Sequence, residues 1–252
     1  MEYFNKSKRK VVATIEARMN SNRLPGKVLL NAAGKPMLKR LIDRLKNVPS
    51  LDEIIIATTT NKLDDEIELF AYNNNVLCFR GSEEDVMSRV IAAADSMQAD
   101  IIVEITADCP IIDPQIVEQS IRTYLVNNVD YLSNAHIRSF PDGMDTQVFS
   151  LEILKKSASL TTNALDHEHV TLHIRNNPQL FTHLYLLAPP ETHWPDLGLT
   201  LDDIRDYELL KKIIEYFEPE NPFFTCLNTI QLLNSNKDWI DINKDVERKG
   251  DA

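Results

Sequence analysis

The feature that most constrains this chain is an alternation. Short β-branched apolar runs take turns with longer segments whose apolar residues recur every three or four positions. Val11-Val12-Ala13-Thr14-Ile15 is too short for a helix and suits a buried parallel strand. Met37 to Lys46 puts Leu38, Leu41, Ile42 and Leu45 on one helical face and Arg40, Asp43, Arg44 and Lys46 elsewhere. Glu53 to Thr58 reads as a second strand, Asp64 to Asn73 as a helix and Val76 to Phe79 as a third strand. Ser82 is placed to cap a helix over Glu83 to Met97 with an acidic first turn. Ile101 to Thr106 is the next strand, and Asp113-Pro114 opens another helix with proline near its first position. This order predicts an α/β fold: a mostly parallel sheet with helices on both faces.

After about residue 130 the rhythm loosens. Tyr131-Leu132, Gln147 to Phe149 and Leu184 to Leu187 read as strands, and Ile204 to Phe217 and Thr225 to Leu233 as helices. No linker rich in Gly, Ser or Pro and no internal repeat interrupts the chain. One domain over 1–252 is expected, with a first half over 11–130 and a second over 131–240. The polar end, Ile242 to Ala252, is expected to fray.

Composition narrows the function classes. Lys and Arg number 27 against 38 Asp and Glu, a net charge of −11, which argues against a nucleic-acid partner. No apolar run approaches the roughly 20 residues of a membrane span. The basic start MEYFNKSKRK has no apolar stretch behind it, so a secretory signal is not expected. Cys78, Cys109 and Cys226 are an odd set without a CxxC pair. They fit a reducing cytoplasm and exclude a zinc knuckle.

Open parallel sheets bind ligands beyond the carboxyl ends of their strands. After the first strand, the loop Glu16 to Lys27 carries Arg18, Arg23 and Lys27 among small polar residues. Converging cations and loop amides suit a polyphosphate. The alternative is a solvated basic loop. Neither GxxxxGK[ST] nor GxGxxG is present. After the fourth strand, Thr106-Ala107-Asp108-Cys109-Pro110 puts a carboxylate in the same zone. It would repel a triphosphate unless a divalent cation lay between them; otherwise Asp108 is a turn former. Asp202, after Leu199-Thr200-Leu201, is either a second metal ligand or a helix N-cap, with Asp203 and Asp206 as first-turn acids.

Together these segments resemble the cytidylyltransferases that activate acidic sugars such as Kdo and sialic acids, in particular the spore-coat polysaccharide branch. Ala17-Arg18-Met19-Asn20-Ser21-Asn22-Arg23-Leu24-Pro25-Gly26-Lys27-Val28-Leu29 matches the ARMxSxRLPGKVL loop. The likeness continues through Phe79 to Val86, Ile105 to Pro114, Phe140 to Phe149, Glu168 to Thr171 and Leu201 to Asp206, in the family's order. Two departures stand out. Asn20 replaces a usual Gly, and Asn tolerates the left-handed conformation. His167 replaces a usual Arg before Glu-His-Val-Thr, which bears on the acceptor contact.

The resemblance implies a Rossmann-like three-layer α/β/α nucleotidyltransferase fold. It implies transfer of CMP from CTP to an acidic sugar for surface polysaccharide, with Mg²⁺ as cofactor and pyrophosphate leaving. Arg18, Lys27 and Asp108 would be catalytic. Ala17, Arg18, Met19, Ser21, Arg23, Lys27, Arg80, Gly81, Ser82, Thr106 and Asp108 would bind the nucleotide. Asp108 and Asp202 would hold the metal, and Asp142, Asp145, Gln147, Glu168 and His169 would meet the acceptor. A homodimer is also implied. Two other readings stay open: a phosphate or phosphonate acceptor, for which Arg138 and Arg175 offer cations, and a non-catalytic nucleotide-binding regulator.

Other signals carry less. His169 and His173 are four apart, but after His167-Glu168 the HExxH pattern fails because residue 171 is Thr. The Lys6 to Lys10 run reads as a solvated lead-in, and Trp194 and Trp239 as packing or subunit contacts.

Overall fold

The computed structural model describes residues 8–248. Its sheet has the order β5-β4-β1-β6-β8-β7-β9. The strands are β1 (Val11–Glu16), β4 (Glu53–Thr59), β5 (Leu77–Gly81), β6 (Ile101–Thr106), β7 (Tyr131–Ser133), β8 (Gln147–Ser150) and β9 (His183–Tyr185). Strands β5, β4, β1 and β6 pair in parallel. Strand β8 runs against both β6 and β7, and β9 is parallel to β7. A ribbon of β2 (Asn31–Ala32) and β3 (Lys35–Pro36) precedes the first helix. Its turn, Ala33-Gly34, has φ of 42° and 78°, the two positive values of a tight hairpin turn.

Alternation along β1 sorts the two faces. Val11, Ala13 and Ile15 pack with Leu41 of α1 (Met37–Leu45), Ile67 of α2 (Asp65–Asn73) and Val117 of α4 (Pro114–Val126). Val12 packs on the other face with Met87 and Val90 of α3 (Val86–Ser96), Leu154 of α5 (Leu151–Leu160) and Ile174 of α7 (Leu172–Asn176). Each such buried Val, Leu, Ile or Met side chain contributes about 1.5–3 kcal/mol. A third cluster joins α8 (Ile204–Phe217) and α9 (Cys226–Ser235) to Phe140, Met144, Leu199 and Leu201. The α/β layers are thus as expected, with β8 as the antiparallel exception.

Several local expectations shift. Ser82 does not cap α3; Asp85 does, accepting from the Ser88 amide at 2.8 Å. Ser82 Oγ instead accepts from the Asp85 amide at 3.0 Å and closes a turn, so the helix starts where the apolar run starts. The strand expected over Leu184 to Leu187 lies over His183–Tyr185, and the one over Val76 to Phe79 over Leu77–Gly81. Thr225 is the cap of α9 rather than its first residue. Helices α5, α6 (Ala164–Glu168) and α7 go beyond the expected elements: α6 and α7 are too short to show a helical period, whereas α5 buries Leu151, Leu154 and Ser157 on one face behind the Ser150 cap. The expected fraying fails for Asn243 and Val246, which are buried. Lys6 and Ser7, and residues 249–252, lie outside the described residues.

Candidate active site

The loop after β1 is held from beneath by a residue the sequence did not single out. Asp64, only 1% exposed, accepts from the Met19 amide at 2.7 Å with one oxygen and from the Thr59 amide at 3.2 Å with the other. The Met19 carbonyl in turn accepts from the amides of Ser21 at 3.0 Å and Gly26 at 2.9 Å. The left-handed residue here is Gly26, at φ 70°, and not Asn20, so the Asn20 exchange needs no conformational tolerance. That glycine turns the chain into the 3-10 turn Lys27–Leu29.

Lys27 then points into a carboxylate pair from distant segments. Its Nζ lies 3.2 Å from Asp108 Oδ2 and 2.9 Å from Asp202 Oδ1. Arg23 Nη2 reaches Asp202 Oδ2 at 3.1 Å. Asp108 follows β6 and is drawn in by Thr106 Oγ1, which donates to it at 2.5 Å. The Asp108 carbonyl accepts from the Leu201 amide at 2.8 Å, which ties the two acidic segments together. Burial works against the Lys27 charge, yet Asp108 and Asp202 outweigh it and hold its pKa above the usual value. Burial likewise works against the Asp202 charge, but Lys27, Arg23 and Arg248 hold it below the usual range.

Asp202 is not the cap of α8. Asp203 is, accepting from the Arg205 amide at 3.0 Å, while Asp206 Oδ2 reaches back to the amides of Asp202 at 3.1 Å and Asp203 at 2.9 Å. Asp203 is therefore the cap rather than a first-turn acid, and the Asp202 carboxylate is released for the site. An ammonium between two carboxylates shows that the pair can accept a cation. Two Asp oxygens with phosphate oxygens and water make a fitting set for Mg²⁺. Among the described residues no group of three or more His, Cys, Asp or Glu forms a metal cage.

The other expected nucleotide residues lie on the same edge of the sheet. Ala17 is buried and Arg18 exposed. Arg80 is differently engaged: its guanidinium donates to the Thr59 carbonyl at 2.9 Å and the Asn61 carbonyl at 2.7 Å, and pairs with Asp65 and Glu68. Gly81 allows Arg89 to pass, since a Cβ there would lie 2.9 Å from Arg89 Cγ. Arg89 donates to the Ser82 carbonyl.

The expected acceptor residues divide into two groups. Asp142 accepts from Thr200 Oγ1 at 3.3 Å, and Arg138 pairs with Asp145 at 2.6 Å and Asp142 at 3.4 Å. Burial raises the Asp142 pKa, against the pull of Arg138 and Arg248. Gly143 has φ 102°, and a Cβ there would lie 2.7 Å from the Leu199 backbone. The second group centres on Gln147. Its amide donates to Glu104 at 2.7 Å, and its carbonyl accepts from Thr171 Oγ1 at 2.8 Å and from the Tyr131 hydroxyl. Glu168 and His169 are exposed at the end of α6. His167 bonds Asp85 at 3.0 Å and the Thr161 carbonyl at 3.2 Å, joining α6 to the α3 cap. His173, half-buried, lies against Asp166 at 3.4 Å, while His169 is exposed.

Glu16, Glu104 and Arg89 were also missed. Glu16 and Glu104 share a sheet face at the ends of β1 and β6. Burial first, and Glu104 second, raise the Glu16 pKa well above the carboxylate range. An acid inside an apolar strand run was the available signal.

Comparison with known proteins agrees with this geometry. The family model described as cytidylyltransferase matches residues 12–224. The chain is similar to the spore coat polysaccharide biosynthesis protein SpsF of Bacillus subtilis, 32% identical over 90% of this chain and 95% of that one. A solved cytidylyltransferase from Leptospira borgpetersenii superposes with a TM-score of 0.86 at 31% identity, covering 96% of this chain and 99% of that one. A 3-deoxy-manno-octulosonate cytidylyltransferase of Pelobacter propionicus is 33% identical over 46% of this chain and 44% of its own.

Proposed function

The chain belongs to the cytidylyltransferase family, and on that premise we propose that it transfers CMP from CTP to an acidic sugar, with Mg²⁺ bound and pyrophosphate released. The observation that carries this reading is Lys27 held between Asp108 and Asp202, beside Arg23. Such transfer needs charge stabilisation and positioning more than covalent chemistry. Arg18, Arg23 and Lys27 are the cations that take up charge on the departing pyrophosphate. Asp108 and Asp202 would hold the metal, which screens the phosphate oxygens from those same carboxylates. Asp64 keeps the loop amides in register for the triphosphate. Arg80 acts through its backbone and through α2, and Gly81 and Ser82 line the nucleoside side.

The sugar-acid class is supported by SpsF and by the 3-deoxy-manno-octulosonate enzyme, whose names place them in spore-coat polysaccharide and sugar-acid chemistry. Gln147, Asp142, Asp145, Glu168 and His169 would face the acceptor. Arg138 is already paired with Asp145 and Asp142, which disfavours a dianionic phosphate acceptor. Retention of both Asp108 and Asp202 disfavours a non-catalytic regulator. A cytoplasmic homodimer without nucleic-acid partners completes the proposal. The free cysteines support the compartment and the net charge of −11 the lack of a nucleic-acid partner, while the homodimer rests on the family resemblance alone. No helix among the described residues is long and apolar enough to cross a membrane.

The test is pyrophosphate release and CMP-adduct mass with CTP, Mg²⁺ and a panel of sugar acids and sugar phosphates. A CMP–sugar acid is the expected product. A CDP-linked adduct, or no turnover with any acceptor, would overturn the reading.

A further inference from the structure

The segment after α9 crosses back over the active-site edge. Asn243 Nδ2 donates to the Gly198 carbonyl at 3.0 Å and to Asp206 Oδ1 at 2.8 Å. Arg248 donates to the same Asp206 oxygen at 2.8 Å and to Thr200 Oγ1 at 2.7 Å, and lies 3.9 Å from Asp142. The Glu247 carbonyl accepts from Arg23 Nη1 at 2.8 Å. Asp206 is fully buried, with one oxygen serving this segment and the other serving the amides of Asp202 and Asp203. A buried carboxylate stays ordered only while its charge and lone pairs are met. Gly198 makes the passage possible: a Cβ there would sit 1.8–2.0 Å from the Arg248 guanidinium.

We propose that residues 243–248 form a clasp over the active site, with Arg248 as a positioning residue for the transfer reaction. Arg248 acts through Asp206 on the backbone that aims the Asp202 carboxylate. Glu247 acts on Arg23, which pairs with that same carboxylate. The clasp thereby joins the triphosphate loop to the segment carrying Asp202, which lies 175 positions beyond Lys27. Its role in catalysis rests on the proposed function.

Two variants break the clasp independently. Arg248→Ala removes the guanidinium, and Gly198→Ala evicts it while leaving it in the chain. Hydrogen exchange in the protein without nucleotide reads the clasp directly. Both variants are expected to speed exchange in the 197–206 segment, with Arg23 also released. Equilibrium binding of CTP with Mg²⁺ reads its consequence. Loss of a group that orients a metal ligand typically weakens binding about 10- to 100-fold. The double variant is expected to be no worse than either single one. Arg248→Lys keeps the charge against Asp206 and recovers part of the loss. Lys155→Ala, whose exposed partner is Asp95 on the α3 side of the sheet, is the unchanged control.

Faster exchange with unchanged CTP–Mg²⁺ binding would overturn the positioning role, as would wild-type exchange in both variants. A wild-type chain that binds no CTP with Mg²⁺ overturns the proposed function itself, an outcome distinct from these.

Discussion

The two halves of the molecule build their parts of the site by different means. In residues 11–130, Asp108 sits just past the end of β6, Lys27 closes the loop that leaves β1, and the two strands are parallel neighbours. Backbone amides, held by Asp64, set the loop. In residues 131–240, strand β8 reverses, α6 and α7 are only five residues each, and side-chain networks do the positioning. Gln147 is fixed by Glu104 and Thr171, Asp145 by Arg138, and Asp202 by Lys27 and Arg23. A strand end has one possible location once the sheet forms. A network has as many locations as its partners permit, which is where variation in the acceptor would be accommodated.

The sharpest way to break this contrast is at the carboxylate pair that spans both halves. Asp108→Asn and Asp202→Asn should each lower turnover on the order of a thousandfold, and the double variant little more, because they act as one unit. Pyrophosphate assays with melts on all three variants check this. Additive losses would mean that the halves act separately. Lys27→Ala should follow, with a loss of about a hundredfold in turnover. Wild-type turnover in that variant would place the triphosphate elsewhere.

Asp64→Ala tests whether the first half is governed by backbone. It leaves the Met19 and Thr59 amides short of an acceptor, at a cost of about 1–3 kcal/mol. CTP affinity should drop while acceptor KM holds, as read by calorimetry beside initial rates. Gln147→Ala tests the converse in the second half: acceptor KM rises and CTP affinity stays. A variant that loses CTP binding and keeps its acceptor affinity would dissolve the partition.

The smallest effect is expected at His167, which links α6 to α3. Its bond to Asp85 raises the His167 pKa. For Asp85 itself, burial acts upward, but the Ser88 amide and His167 outweigh it and lower its pKa. The His contribution is therefore fully present below its unfolded pKa of about 6.5 and fades as pH rises through the higher folded value. The Asp contribution is present above about pH 4 and fades as pH falls through the lower folded value. Both side chains are partly exposed, so the pair is worth at most about 1 kcal/mol. Thermal melts of wild type and His167→Gln should differ most between about pH 4 and 6.5 and converge by pH 8. A gap independent of pH would show that the link is packing.

The sequence by itself determined the layers, the helix over Ile204–Phe217 and the strand-end candidates, because local periodicity and caps are properties of neighbouring residues. It also marked Lys27, Asp108 and Asp202 as one chemistry through the family pattern. Only the tertiary structure decided which acid does what. Asp202 and Asp203 are adjacent and chemically alike, and their roles separate because Asp206 and Lys27 approach from different sides. Asp64, Glu104 and Arg248 carry no periodic signature, since each has a partner in a distant segment: Met19, 45 positions from Asp64, Gln147, 43 from Glu104, and Asp206, 42 from Arg248. The reversal of β8 likewise depends on which edge β6 leaves open. Local order is written in spacing along the chain, whereas long-range polar contacts exist only after burial has brought distant segments together and made each unpaired group costly.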